Sequence, residues 1–316
     1  MLRYRILALF LSLFLFRGGA LAADTLNIGA LPAADSLLLY AAKEDGAFAA
    51  HGLEVNVVPF QSALELGAAM RSGSLDGHFG DIINVLMQNE SGAPQVIVAT
   101  TSHSVPGARF FGLAVSPSSS AKSVSDLKGR SCAIGRATIV EFVLDAMLER
   151  ENAAGTLEKS DIRQIPVRLQ MLLSGRMESA LLPEPLLSLV EAQGARVLID
   201  DRGLDLPLAV IALKKPQSGD EDAFRDRVRR FRAALAEEAE RINASPETYK
   251  TMMKKFRLLA PQAEERYAML RFEAPLTPLG LPSKEELRRY AGWMEQGRML
   301  KKGLPPLADI VFQEEQ

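Results

Sequence analysis

Apolar positions along the chain alternate between two periods, and the alternation predicts α/β units. Leu26–Ala30 and Leu53–Phe60 read as short strands, the latter through Val55, Val57 and Val58. Between them Ser36 opens a predicted helix to about Phe48, punctuated by Gly46 and Gly52. Ser62-Ala63-Leu64-Glu65 has the S-x-x-E form of a capping box and starts a helix that Gly73 stops. A brief strand at Gly77–Phe79, a helix from about Asp81 and a strand at Gln95–Thr101 follow. Strands alternating with helices predict parallel-type pairing.

The grammar then repeats. Ser131–Ile134 reads as a strand, and Thr138-Ile139-Val140-Glu141 as a second capping-box pattern opening a helix to about Arg150. Ile162–Pro166 reads as a strand, Leu169–Ser174 as a helix and Ser179–Leu182 as a strand. Glu184-Pro185 starts a helix through Gln193, and Arg196–Ile199 is the last strand of the series. One unit recurs in weakly similar form in both halves: AMRSGSLDGHFGDIINVL at Ala69–Leu86 and MLLSGRMESALLPEPLLSL at Met171–Leu189. Gly73 aligns with Gly175 and Asp76 with Glu178. A unit used twice implies two similar lobes, and a cleft between lobes is where small molecules bind.

Phe110–Ser116 and Leu206–Leu213 are extended and apolar, and read as the two crossings between lobes. The expected division is a first lobe of residues 23–112 plus 209–316 and a second of 113–208. Beyond the return crossing the chain is helical: Asp222–Asn243 carries Phe224, Val228, Phe231, Leu235 and Ile242 at helical spacing, followed by Pro261–Phe272 and Ser283–Leu300. These helices are expected to pack on the first lobe.

The N-terminus adds a destination. Arg3 and Arg5 precede the apolar run Ile6–Phe16, and Ala20-Leu21-Ala22 is a small-x-small cleavage site. Residues 1–22 therefore read as a cleavable signal peptide, since a span needs ~20 apolar residues and this run is shorter. No Cys follows the cleavage site, so no lipid anchor is expected and the mature protein would be free in the periplasm. The formal net charge of −2 becomes about −5 once Arg3, Arg5 and Arg17 are removed, which argues against nucleic acid or anionic membrane as a partner. Cys132 is the only cysteine, in the apolar run Ser131–Gly135, and reads as a buried small hydrophobe.

In this order and spacing, LPAADSLLLYAAKEDGAFAAHGLEVNVVPF (Leu31–Phe60), SALELGAAMRSGSLDGHFGD (Ser62–Asp81), SVSDLKGRSCAIGRATIVEFVLDAML (Ser123–Leu148), SGRMESALLPEPLLSLV (Ser174–Val190) and AEEAERINASPETYK (Ala236–Lys250) resemble the NMT1/SsuA-like substrate-binding proteins of ABC importers. The resemblance covers nearly the whole mature chain. It implies the two-lobe type II periplasmic-binding fold, with two crossing segments as hinge and a helical C-terminal tail. It also implies a binding function: the lobes close on a solute, the loaded form docks transiently on a membrane permease, and the protein, a monomer, performs no chemistry. The cysteine-rich motif of the pyrimidine-synthesising relatives is missing.

Ligands in open α/β sheets sit beyond the carboxyl ends of the strands. That places Pro32–Ser36, Phe60–Ser62, Gly80–Asp81, Gly135–Thr138 and Pro183–Glu184 at the cleft, and makes Ser36, Phe60, Gln61, Ser62, Asp81, Arg136, Thr138 and Glu184 the candidate ligand-binding residues. Ser36, Ser62 and Thr138 double as N-caps, and a helix N-terminus aimed at the cleft suits an anion. Arg136 would add a bidentate contact to sulfonate, carboxylate or nitrate. Asp81 and Glu184 point instead to a solute with N–H donors, and Phe60 and Phe79 to a ring. The solute therefore stays open between an anion and a heteroaromatic. His78 and His103 read as structural, and three scattered histidines with one cysteine give no metal spacing, so no metal or cofactor is expected. Two alternatives stand beside the importer reading: a soluble sensor subunit for a membrane receptor, and an enzyme using Asp81 and Glu184 as an acid pair.

Overall fold

A computed structural model of the chain describes residues 24–216, 219–272 and 280–313; the expected signal peptide lies outside them. In chain order the first run of elements is β1 (Asp24–Ala30), α1 (Leu37–Glu44), α2 (Ala47–Ala50), β2 (Leu53–Pro59), α3 (Ala63–Arg71), β3 (Gly77–Gly80), α4 (Ile82–Glu90) and β4 (Gln95–His103). The second run is β5 (Phe111–Val115), β6 (Ser131–Ile134), α5 (Ile139–Arg150), β7 (Glu158–Asp161), α6 (Ile165–Leu173), β8 (Ser179–Pro183), α7 (Leu186–Ala192) and β9 (Arg196–Asp200). β10 (Pro207–Lys214) follows, then α8 (Glu221–Ala244), α9 (Lys250–Lys255), α10 (Lys284–Gln296) and α11 (Leu307–Ile310).

The strands form two five-stranded sheets, ordered β2-β1-β3-β10-β4 and β7-β6-β8-β5-β9. The orders are the same once β1 is matched with β6 and β3 with β8, so the sequence repeat occupies the central strand of each sheet. Its two glycines, Gly73 and Gly175, both turn with positive φ (77° and 70°), which L side chains adopt only under strain. β1 pairs in parallel with β2 and β3, and β6 with β7 and β8. β10 and β5 run antiparallel to their neighbours, so both sheets are mixed rather than wholly parallel.

These two antiparallel strands are the segments that read as crossings. Their apolar residues are sheet core: Leu113, Ala114, Val115, Val210 and Ile211 are fully buried. The chain crosses instead in the short links before them, residues 104–110 and 201–206. Asp201 ties the links together. Its Oδ1 accepts the backbone N–H groups of Phe110 and Phe111 at 2.9 and 2.8 Å, and Ser104 Oγ donates to its carbonyl at 2.5 Å.

Three further expectations shift. The predicted helix from Ser36 to Phe48 is a 3-10 turn (Ala34–Ser36) and two helices broken at Gly46, whose φ is 79°. The strand expected at Ile162–Pro166 lies earlier, at Glu158–Asp161, and Pro166 sits in the first turn of α6. An edge strand needs no apolar alternation, and Glu158-Lys159-Ser160-Asp161 shows none. Pro261–Phe272 forms only a 3-10 turn, Pro261–Ala263. Beyond it Asn243 Oδ1 holds the Phe272 N–H at 2.6 Å, and Tyr267, Leu270 and Phe272 are buried without a helix.

The C-terminal helices pack on the first sheet's helices and reach the second. Phe231 of α8 stacks on Phe48 (5.1 Å between ring centroids), and Tyr40 stacks on Phe256 (4.4 Å). From α10, Tyr290 and Trp293 contact Phe142 of α5 at 4.3 and 5.5 Å, and Trp293 Nε1 donates to Asp145 at 3.0 Å. No helix among the described residues is long and apolar enough to cross a membrane.

Candidate functional site

The carboxyl ends of β1, β3, β6 and β8 face one another across the gap between the sheets. Three hydrogen bonds join the facing loops: Ala34 N–H to the Glu184 carbonyl at 3.2 Å, Ile165 N–H to the Gln61 carbonyl at 3.2 Å, and Ile139 N–H to Asp81 Oδ2 at 3.2 Å. Gln164 Nε2 adds a fourth, to Glu65 Oε1 at 3.1 Å. Between these contacts lies a cavity in two chambers. The outer one, about 200 Å³, opens past Leu64 and Met87. The inner one, about 70 Å³, is walled by Phe79, Phe110, Phe111 and Leu208 and contains Asp35. Leu31, Asp81, Ile139, Val140, Ile165 and Arg168 border both chambers and form the neck between them.

Arg168 is the cation of this neck. It is 1% exposed, on the buried face of α6 with Ile165, Leu169 and Leu172. Nη1 donates to the Ile162 carbonyl at 3.0 Å, while Nε and Nη2 are buried without a partner among the described residues. Burial pulls its pKa down to about 10, and among the described residues no carboxylate hydrogen-bonds to it. It stays charged at neutral pH. A buried guanidinium with two open donor groups costs several kcal/mol unless something anionic completes it. The arrangement can therefore hold an anion by charge-assisted hydrogen bonds. Gly135 makes room for it: a Cβ there would lie 3.3 Å from Arg168 Nη1.

The candidate residues divide by what their side chains already do. Thr138 caps α5, accepting the Val140 N–H at 3.2 Å and donating to the Gly135 carbonyl at 2.7 Å, and borders the outer chamber. Arg136 borders the outer chamber too, but it is exposed and its Nη2 donates to the Lys159 carbonyl at 3.1 Å. Asp81 is 2% exposed, and its two oxygens accept N–H groups from the starts of two helices, Asn84 of α4 at 2.7 Å and Ile139 of α5. Burial pushes its pKa up. Glu184 borders the inner chamber with its carboxylate fully engaged: Oε1 accepts from Arg109 Nε at 2.9 Å and Oε2 from Ser188 N and Oγ at 3.1 and 2.9 Å.

Ser36, Phe60, Gln61 and Ser62 border neither chamber. Ser36 Oγ donates to the Ala33 carbonyl at 2.8 Å and does not cap α1. Phe60 packs beside Leu66, Met70 and Leu75. Gln61 is exposed and contributes its carbonyl to the contact with Ile165, and Ser62 caps α3 by accepting the Glu65 N–H at 3.2 Å. The reading of the sequence missed Arg168 and Asp35. The available signal for Arg168 was a lone arginine on an apolar helix face, three residues after Ile165 and four before Leu172. Asp35 is buried, with Thr101 Oγ1 donating to its Oδ2 at 2.8 Å. Among the described residues no cluster of His, Cys, Asp and Glu could hold a metal ion, and Cys132 is buried, its thiol pushed up to about 11 by burial.

Two matched mixed sheets joined by two short crossings, with a lined cavity between their carboxyl ends, define a two-lobed protein of the periplasmic-binding-protein fold. Residues 33–204, more than half of the chain, match the family NMT1/THI5 like, and the chain belongs to that family. Three solved structures place the fold. The chain is similar to the alkanesulfonate-binding protein SsuA from Xanthomonas axonopodis pv. citri bound to MOPS (19% identity, TM-score 0.73, 92% of this chain and 98% of that one). It is similar to the periplasmic aliphatic sulphonate binding protein SsuA from Escherichia coli (18% identity, TM-score 0.72, 91% and 97%). The periplasmic nitrate-binding protein NrtA from Synechocystis PCC 6803 is similar over less of each chain (14% identity, TM-score 0.61, 77% and 69%). No curated protein matches the sequence significantly.

Proposed function

We propose that this protein is the extracytoplasmic solute-binding subunit of an ABC importer. It captures a small anionic solute between its lobes at Arg168 and presents it to a membrane permease. The observation that carries this reading is the buried Arg168 guanidinium, lacking a carboxylate partner among the described residues and placed at the neck of the cavity. The names of the structural relatives, sulfonate- and nitrate-binding, agree with an anion. The protein works as an exported, unanchored monomer, with residues 1–22 removed, lobes of residues 23–112 plus 209–316 and 113–208, and the crossings as hinges. Closure is a population shift, because a solute touching both lobes favours the closed state.

The protein binds without catalysing. An acid pair would need free carboxylates, and Asp81 and Glu184 are both committed, one to helix N–H groups and the other to Arg109 and Ser188. The test is native and then denaturing mass spectrometry of the mature protein, followed by calorimetry with sulfonates, carboxylates and nitrate. A single released anion, or 1:1 binding that Arg168→Gln abolishes, supports the reading. Binding indifferent to Arg168→Gln overturns it.

A further inference from the structure

The charges around the inner chamber do not suit a solute that is only an anion. The charged side chains bordering it are Arg168, Asp35, Asp81 and Glu184. Glu184 is paired with Arg109, a cation it shares with Glu191. Asp81 is stabilised by two helix N-termini, whose N–H groups and dipoles favour a carboxylate. Asp35 has neither kind of support. It is 4% exposed; the hydroxyls of Thr101 and Ser102 face it, and the buried Tyr267 lies near enough to feel its charge. No cation pairs with it in the described residues. Burial pushes its pKa up, as it does that of Asp81, so the two differ in their hydrogen-bond partners and not in this shift.

Asp35 and Arg168 thus present opposite unmet needs inside one cavity. Arg168 lies at the neck and has donors without acceptors. Asp35 borders only the inner chamber and lacks a positive partner. Phe79, Phe110, Ile139, Ile165 and Leu208 wall the space around them, so what bridges the two is apolar. When Asp35 is ionised, a pure anion seated at Arg168 brings a second negative charge toward it in a poorly solvated space, where like charges repel strongly. A nitrogen donor on the same molecule removes that penalty and satisfies the carboxylate.

We propose that the solute carries, besides the anionic group held at Arg168, a hydrogen-bond-donating nitrogen that Asp35 accepts in the inner chamber. The class is a small zwitterion or amino-substituted anion with an apolar spacer. This rests on the anion reading given above and narrows it. Asp35 is then the residue that sets specificity.

Matched pairs of probes test it on the full mature chain: 2-aminoethanesulfonate against ethanesulfonate, 3-aminopropanesulfonate against propanesulfonate, and 4-aminobenzenesulfonate against benzenesulfonate. By calorimetry the amino member of at least one pair binds about tenfold more tightly or better. Asp35→Asn brings that ratio to within about twofold while the amine-free partner keeps its affinity. A carboxylate serving only to support Thr101 would leave the ratio unchanged, and that result overturns the proposal. So do wild-type affinities within about twofold in every pair, a comparison that needs no variant to fold. Binding by no member of any pair, together with no binding of carboxylates or nitrate, overturns instead the anion reading itself.

Discussion

The Asp81 carboxylate joins the two lobes: Oδ1 accepts the Asn84 N–H at the start of α4 (2.7 Å), and Oδ2 accepts the Ile139 N–H at the start of α5 (3.2 Å). One side chain caps two helices that belong to different sheets. Asp81→Ala should cost about 1–2 kcal/mol, the value of a lost cap, measured by urea denaturation. The sign of the pH dependence follows from burial, which raises the folded-state pKa. The folded state then holds the proton to higher pH, so stability falls as pH rises from the ordinary carboxylate value through the folded one. Asp81→Asn should remove that slope, as read from denaturation midpoints across pH 4–8.

Arg168 and Arg136 make opposite predictions although both border the outer chamber. Arg168→Gln should weaken anion binding about 10–100-fold, the equivalent of one or two charge-assisted hydrogen bonds. Arg136→Gln should change it by less than about threefold, since the exposed guanidinium already donates to the Lys159 carbonyl. Because Arg168 is charged below about pH 10, affinity should be flat through neutral pH and fall as pH rises toward that value. Calorimetry on both variants at pH 7 and on the parent at pH 7–10 checks all three points.

Function at Arg168 should oppose stability. Arg168→Met replaces a buried, incompletely bonded cation with an apolar chain of similar reach. The variant should be as stable as the parent or more so, by up to about 3 kcal/mol, while losing binding. A large fall in thermal midpoint would count against this account.

Beside the crossings, His103 Nε2 meets Glu286 Oε1 at 3.1 Å and joins the end of β4 to α10. The Glu286 carboxylate raises the His103 pKa, and the His103 bond holds Glu286 down at about 2. The histidine's share of stability is complete below its ordinary 6.5 and is lost as pH rises through its folded value. The glutamate's share is complete above 4.5 and is lost as pH falls toward about 2. The pair therefore stabilises most between 4.5 and 6.5, and melting curves of Glu286→Gln should differ most from the parent in that window.

Asp201 holds the two crossings together through the N–H groups of Phe110 and Phe111. Asp201→Ala leaves two backbone donors unpaired in a buried place and should cost about 2–4 kcal/mol by denaturant titration. Asp201→Asn, which keeps an acceptor, should cost less.

Much of the fold was legible because it is written locally. The caps at Ser62 and Thr138 and the turns at Gly73 and Gly175 need only nearby backbone, and each occurs where the spacing puts it. The duplicated segment around them implied matched lobes, and it lies on the central strand of each sheet. Where a segment's partner is distant, local pattern misled. Pro261–Phe272 has helical spacing, but Asn243 takes the Phe272 backbone and the segment packs without a helix. Glu158–Asp161 looks like a loop and is a strand, because β6 supplies its hydrogen bonds.

By itself the sequence determined the α/β alternation, the repeat and the helix starts at the cleft, since periodicity and capping act within a few residues. Only the tertiary structure decided which charges are left without partners. Arg136 and Arg168 are both arginines in lobe-facing segments; folding leaves one in solvent on the Lys159 carbonyl and buries the other without a carboxylate hydrogen bond among the described residues. Glu184 and Asp35 are both acids in strand-end loops, yet among the described residues Arg109 reaches the first and hydroxyls, with no cation, reach the second. Burial and pairing depend on residues 66 to 75 positions away, and no local pattern encodes them.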